Sequence, residues 1–153
     1  MRVLVQRSLN SWVSVNGQII NSISHGLVLL VGFTQEDTIK EIEALVKKVI
    51  HLRIFNDESG IMNKSILEVG GEILSISQFT LYANTKKGNR PSYIAALNGR
   101  EASKLYDLFN QELNKYIKTK TGIFGADMQV NITNDGPVTI LLESHPKSLE
   151  IKE

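Results

Sequence analysis

Residues Leu27 to Phe33 run apolar without a break, and from Glu36 onward the apolar residues recur at spacings of three and four instead. The first pattern is that of a β-strand buried on both faces. The second, Ile39, Ile42, Leu45, Val46, Val49 and Ile50 with charges between them, is the stripe of an amphipathic helix. Upstream, Val3–Val5 begin a β-type segment that ends near Ser8. Trp12, Val13 and Val15 then lead through Asn16-Gly17 to Ile19, Ile20 and Ile23. Asn-Gly between two β-rich runs predicts a hairpin, because both turn positions tolerate positive φ.

Downstream the pattern predicts a short strand from Leu52 to Phe55, closed by the turn residues Asn56-Asp57-Glu58-Ser59-Gly60. Gly70-Gly71 precedes a strand from Ile73 to about Tyr82. A second amphipathic helix runs from about Arg100 to Ile117, with Ala102, Leu105, Tyr106, Phe109, Leu113, Tyr116 and Ile117 on its apolar stripe. Two last strands, Met128 to Thr133 and Val138 to Leu142, flank Asn134-Asp135-Gly136-Pro137. The expected fold is α+β: one domain over residues 1–144, with largely antiparallel, barrel-like β-sheets and two long amphipathic helices. Residues 145–153 read as a polar, frayed tail.

Composition narrows the function. With no cysteine, the chain has no disulfide framework, Cys-zinc site, iron–sulfur cluster or thiol nucleophile. A net charge of +1 argues against coating long duplexes, which takes a broad positive surface, but allows a local patch. The longest apolar run is far short of the ~20 residues of a membrane-spanning helix, so a cytoplasmic protein is expected, with no membrane partner. The GxxxxGK[ST], GxGxxG, HExxH and GxSxG patterns are all missing, and His25, His51 and His145 share no motif. No metal or cofactor is expected.

Three segments stand out. Ser77-Gln78-Phe79-Thr80 puts polar groups at the close of an apolar strand. They could be one solvated face, or hydroxyls, an amide and backbone N–H groups offered to a bound carbonyl. Asn134-Asp135-Gly136-Pro137 reads as a turn whose Gly-Pro bond is a candidate for the cis form. The loop Asn84–Pro91 carries Lys86, Lys87 and Arg90 within five residues, either a solvated surface or a small phosphate-contacting patch.

Taken together these segments resemble the D-aminoacyl-tRNA deacylase (D-tyrosyl-tRNA(Tyr) deacylase) family of the Gly-cisPro type. The matching stretches are Gln6-Arg7, Gly26-Leu27, Leu52-Arg53-Ile54-Phe55, Met62-Asn63, Gly70-Gly71-Glu72 and Ser77-Gln78-Phe79-Thr80-Leu81. They continue through Lys87-Gly88-Asn89-Arg90-Pro91-Ser92, Gly125-Ala126-Asp127-Met128-Gln129-Val130 and Asn134-Asp135-Gly136-Pro137-Val138-Thr139, in family order over nearly the whole chain. The resemblance implies a deacylase-type fold and a homodimer with active sites at the subunit interface. Its substrate would be the acceptor end of aminoacylated tRNA.

The implied reaction is chiral proofreading: hydrolysis of the ester of D-aminoacyl-tRNA, and of glycine mischarged on tRNA(Ala), with L-aminoacyl-tRNA rejected. Ser77, Gln78, Phe79 and Thr80 would line the catalytic pocket of one subunit. Gly136-Pro137, in cis, would enter from the other, braced by Arg7. Backbone N–H groups near Phe79 and Thr80 are the candidate oxyanion site, and the ribose 2′-hydroxyl would help activate water. Lys86, Lys87 and Arg90 would touch tRNA phosphates. Trp12 stands where family members commonly carry a small residue, a place for an added dimer contact or a filled core gap. Two other readings remain: a non-catalytic nucleic-acid-binding module, and an esterase with Thr80 as nucleophile.

Overall fold

The computed structural model describes residues 1–144; the expected tail, with His145, lies outside the described residues. In chain order the elements begin with β1 (Arg2–Ser8), β2 (Ser11–Val15), β3 (Gln18–Ile23), β4 (Gly26–Gly32) and α1 (Ile39–His51). They go on through β5 (Phe55–Asn56), β6 (Met62–Lys64), α2 (Ile66–Val69) and β7 (Glu72–Ser77) to a 3₁₀ turn over Phe79–Tyr82. The series ends with α3 (Gly99–Asn114), β8 (Thr119–Thr121), β9 (Gln129–Asn131) and β10 (Asn134–Glu143).

The five-stranded sheet has the order β10-β1-β4-β7-β8, and a smaller sheet has the order β3-β2-β9. Alternation along β4 explains how they stack. Leu27, Leu29 and Val31 point to one face and join Val3, Val5, Ile73 and the buried stripes of α1 and α3. Val28, on the other face, joins Leu74 and Ile76 of β7 against Val13 and Ile23 of the small sheet. The chain is therefore three layers deep at β4: helices, large sheet, small sheet. The strand expected to be apolar on both faces is the one that needs to be.

α1 starts on a capping box. Thr38 accepts from the Lys40 N–H at 3.2 Å, and Glu41 accepts from the Thr38 N–H at 2.6 Å. The hairpin between β2 and β3 turns at Asn16 and Gly17 with φ of 50° and 76°, as Asn-Gly predicts. The α-ammonium of Met1 is buried against the Asp37 carboxylate at 2.9 Å and donates to the Ser144 carbonyl at 2.7 Å. Burial pulls the amine below its ordinary pKa and pushes the Asp37 carboxyl up, while their pairing opposes both shifts.

Several sequence expectations change. β4–β7 and β7–β8 are parallel, the remaining ladders are antiparallel, and among the described residues no sheet closes into a barrel. Of the strand expected from Leu52 to Phe55 only Phe55 is in a strand, paired in β5 together with Asn56 of the expected turn. The strand expected from Ile73 to Tyr82 stops at Ser77 and becomes a 3₁₀ turn. The short elements β6, α2 and β8 add to those the pattern predicts. Asn134–Pro137 is not a free turn between strands but the irregular start of β10. Trp12 faces outward, opposite Ser22 and Asn131 and 36% exposed, so it fills no core gap.

Candidate active site

β7 delivers Ser77 to the edge of the core, and the Gln78 N–H extends the parallel ladder by donating to the Val31 carbonyl at 2.7 Å. The chain then tightens into the 3₁₀ turn, with the Leu81 N–H on the Gln78 carbonyl at 3.3 Å and the Ala83 N–H on that of Thr80 at 3.0 Å. Gly32 of β4 makes this possible. A Cβ there would stand 2.8 Å from the Gln78 carbonyl oxygen and 3.3 Å from the Leu81 Cβ. No side chain caps the turn, and among the described residues the Phe79 and Thr80 N–H groups have no partner. Two successive orphan donors at a helix start form a small site of positive potential. The Gln78 amide meets the Thr80 hydroxyl in a short hydrogen bond.

Ser77, Gln78 and Phe79 line a cavity of about 650 Å³, within the usual range of ~300–1,000 Å³ for a small-molecule site. Its second wall comes from Tyr93 and Ala96–Gly99, and its third from Phe124–Met128, the loop between β8 and β9. The second wall is pinned to the end of β4: the Leu97 N–H donates to the Phe33 carbonyl at 3.0 Å, and the Thr34 hydroxyl to that of Ala95 at 2.6 Å. At the mouth, Phe79 and Tyr93 meet edge to face at 5.1 Å, and the Phe79 side chain is 57% exposed. Apart from Asp127 and Tyr93 the lining carries no ionisable side chain. Among the described residues no group of three or more His, Asp or Glu is placed to hold a metal ion.

Arg7, Gly136 and Pro137 do not join this cavity. β1 and β10 pair regularly as far as Gln6 with Thr139 and resume at Ser8 with Asn134, so four residues of β10, Asp135 to Val138, bulge out opposite Arg7 alone. Asn134 closes the neck of the bulge. Its Nδ2 donates to the Arg7 carbonyl at 3.1 Å and the Val138 carbonyl at 3.0 Å, and its Oδ1 accepts from Thr139 at 3.0 Å and Gln6 at 3.3 Å.

Arg7, itself buried, braces the body of the bulge. Nε donates to the Asp135 carbonyl at 3.2 Å and lies 3.3 Å from its carboxylate, while Nη1 donates to the Ile54 carbonyl at 2.9 Å. Gly136 has φ +121°, and a Cβ on it would stand 3.0 Å from Arg7 Nη2 and 2.9 Å from Val138 Cγ2. The Gly136-Pro137 bond is cis, and both residues are exposed.

Lys86, Lys87 and Arg90 lie on an exposed loop pinched by the Asn84–Ser92 bridge, directly before Tyr93 at the cavity mouth. Of the expected catalytic residues, then, Ser77, Gln78 and Phe79 share the cavity and Thr80 flanks it, while Arg7, Gly136 and Pro137 form a separate group. Sequence reasoning assigns no role to Tyr93, Asn98, Phe124 or Gly125–Met128. For the last of these, the matching stretch Gly125–Val130 is the available signal. Nor does it assign Asn134 as the clamp, although its place opening Asn-Asp-Gly-Pro points there.

The family described as D-Tyr-tRNA(Tyr) deacylase matches residues 4–143. A protein named D-aminoacyl-tRNA deacylase from Geobacillus sp. (strain WCH70) is 52% identical over 149 residues, covering 97% of this chain and 98% of that one. One of the same name from Brevibacillus brevis is 52% identical over 145 residues, covering 94% and 100%. Among solved structures, one described as c-Myc DNA Unwinding Element Binding Protein superposes with a TM-score of 0.91 at 44% identity, covering 95% of this chain and all of that one. A probable eukaryotic D-amino acid tRNA deacylase has the same fold, with a TM-score of 0.79 at 18% identity over 92% of this chain and 97% of that one. With the match running from β1 to the end of β10, and so through both the cavity residues and the braced bulge, the chain belongs to the D-Tyr-tRNA(Tyr) deacylase family of ester hydrolases.

Proposed function

We propose that this chain removes D-amino acids from mischarged tRNA as a homodimer, each cavity being completed by the Gly136-Pro137 bulge of the other subunit. The observation that carries the reading is the pair of unpartnered N–H groups on Phe79 and Thr80 at the edge of a cavity whose lining has no histidine or lysine. An aminoacyl ester is already reactive. Its hydrolysis needs positioning and a place for the negative charge that develops on the carbonyl oxygen. Water attacks the carbonyl carbon, the bond to the ribose oxygen breaks, and the proton lost by water reaches that oxygen by way of the adjacent 2′-hydroxyl. The two N–H groups hold the oxyanion meanwhile. Thr80 serves as a positioning group. Its hydroxyl neighbour is a carboxamide, too weak a base to activate a nucleophile, whichever way the amide is turned.

Selection against L substrates follows from rigidity. Main-chain carbonyls of Gly136 and Pro137, facing the substrate α-carbon, leave no room for an L side chain, whereas a D side chain points away to solvent. Glycine, with no side chain, passes the same filter, which extends the activity to glycyl-tRNA(Ala). The exposed rings of Phe79 and Tyr93 suit the terminal adenine as a stacking surface. A cytoplasmic setting fits a tRNA substrate.

The test is deacylation of D-tyrosyl-, L-tyrosyl-, glycyl- and L-alanyl-tRNA side by side, with EDTA present. The expected result is rapid loss of the D ester, intermediate loss of the glycyl ester, and sparing of both L esters. Loss of D and L esters alike would remove the selector role of Gly136-Pro137. Equal inertness of glycyl- and L-alanyl-tRNA would overturn the steric account. A second reading, nucleic-acid binding without catalysis, draws on the 44%-identical solved relative, which is described as binding a DNA unwinding element. Binding of nucleic acid with every ester left intact, with and without chelator, would favour it.

A further inference from the structure

We propose that a basic groove at the carboxyl end of α1 binds phosphates of the tRNA body, well away from the ester. The inference rests on the deacylase reading and adds a contact surface to it. Lys47, Lys48, His51 and Arg53, with Ala44 and Leu52, enclose a groove of about 330 Å³. All four basic side chains are exposed, and among the described residues none forms an ion pair. Glu43, one turn before Lys47, is not paired with it.

A cation near a helix carboxyl end is favourable in its own right, which accounts for Lys48 in the last turn. It does not account for Lys47 and Arg53, which bring further positive charge to the same groove. Arg53 is also fixed in place: Nε donates to the Asn63 carbonyl at 3.0 Å and Nη2 to the Asn63 side chain. Among the described residues its Nη1 has no partner. A pre-oriented guanidinium beside lysine ammonium groups is a good receptor for backbone phosphates.

Placement supplies the second argument. The residue after Arg53 is Ile54, whose carbonyl takes a hydrogen bond from Arg7 at 2.9 Å, and Arg7 braces the Asp135 end of the bulge. The groove is thus built onto the scaffold of the bulge. When the bulge enters the partner subunit's cavity, the groove is carried toward that subunit with it, on the side where the body of an acceptor-bound tRNA would trail away from the ester. The Lys86–Arg90 loop, at the cavity mouth, is on the subunit that supplies the cavity, so the two patches would grip one tRNA from both subunits.

The double variant Lys47→Gln/Lys48→Gln tests this, with Lys40→Gln/Lys104→Gln as a control of equal charge change. For D-tyrosyl-tRNA the groove variant is expected to raise KM several-fold and to flatten its salt dependence by about one unit of log–log slope per lysine. The D-tyrosyl ester of adenosine has no tRNA body and reads the cavity alone; its hydrolysis should not respond. A salt slope unchanged, or changed equally by the control pair, overturns the groove. So does a loss that appears on duplex DNA but not on tRNA. If the wild-type protein cleaves neither ester, the deacylase reading has failed, and the salt slope for binding uncharged tRNA still decides the groove: shallower in the variant supports it, unchanged refutes it.

Discussion

The cavity rim at Ser77–Thr80 and the bulge at Asp135–Val138 are both places where a strand loses its regular pairing, yet they treat their polar groups in opposite ways. At the rim, the chain enters a 3₁₀ turn with no cap and leaves two N–H groups open. At the bulge, Arg7 and Asn134 tie down the backbone on both flanks, although the residues between them are exposed. On the proposed dimeric reading, the rim is a receiving surface that keeps its donors unspent for a ligand's acceptor. The bulge is then an inserted element that has to hold its shape before anything surrounds it, with supports from its own subunit.

The sharpest way to break that contrast is Gly136→Ala. Its methyl group meets Arg7 and Val138 at 3.0 and 2.9 Å and sits on a backbone at φ +121°. Displacing the bulge by even 1 Å should cost about 100-fold in deacylation of D-tyrosyl-tRNA, with the helical circular dichroism retained. An unaltered rate would separate the bulge from the reaction.

Arg7→Lys acts on the brace instead. A lysine cannot reproduce the fork to Asp135 and Ile54, and the fall in unfolding free energy should be about 2 kcal/mol. The urea midpoint measures it, and the L-tyrosyl ester should become less well rejected. A midpoint that stays put would show that Asn134 alone suffices.

On the receiving side, Thr80→Val should slow the reaction about tenfold, or ~1.4 kcal/mol, because it removes a positioning contact and leaves the N–H groups. A loss of ~10⁴-fold or more would make Thr80 the nucleophile. The smallest effect belongs to Lys86→Ala/Lys87→Ala/Arg90→Ala: a few-fold rise in KM at ordinary salt and a visibly shallower salt dependence. If the slope does not change, the loop is solvated surface.

What the sequence makes legible follows from how local each signal is. Asn16-Gly17 needs only its own two residues to dictate a turn, and the stripes of α1 and α3 announce themselves over several turns. Phe79, Thr80 and Tyr82 are good strand formers, so the local pattern carries the strand on to Tyr82. What stops it is the space left above Gly32, more than forty residues away. β8 is three residues held by a parallel ladder to β7, a partner that local pattern cannot reveal.

α2 is a different case, because its signals are all in adjacent residues. Ser65 and Glu68 form a capping box, and Gly70 ends the helix at φ +69°. The site is legible in its parts through the resemblance. The resemblance also sets Gly136-Pro137 and Arg7 apart from Ser77–Thr80; what it does not reveal is the register break between β1 and β10 that raises the bulge, since no short motif carries it.

The open donors at Phe79 and Thr80 have a consequence for anyone wishing to redesign this protein. Nineteen of the twenty coded amino acids present the same N–H at a given position; only proline lacks one. A library that varies side chains around the cavity therefore leaves those two groups in place; with the oxyanion role proposed for them, such a screen would reshape the walls and miss the centre. Changing what they hold means changing the path of the chain: a residue inserted or deleted between Ser77 and Tyr82, or a larger residue at Gly32 that pushes the turn outward.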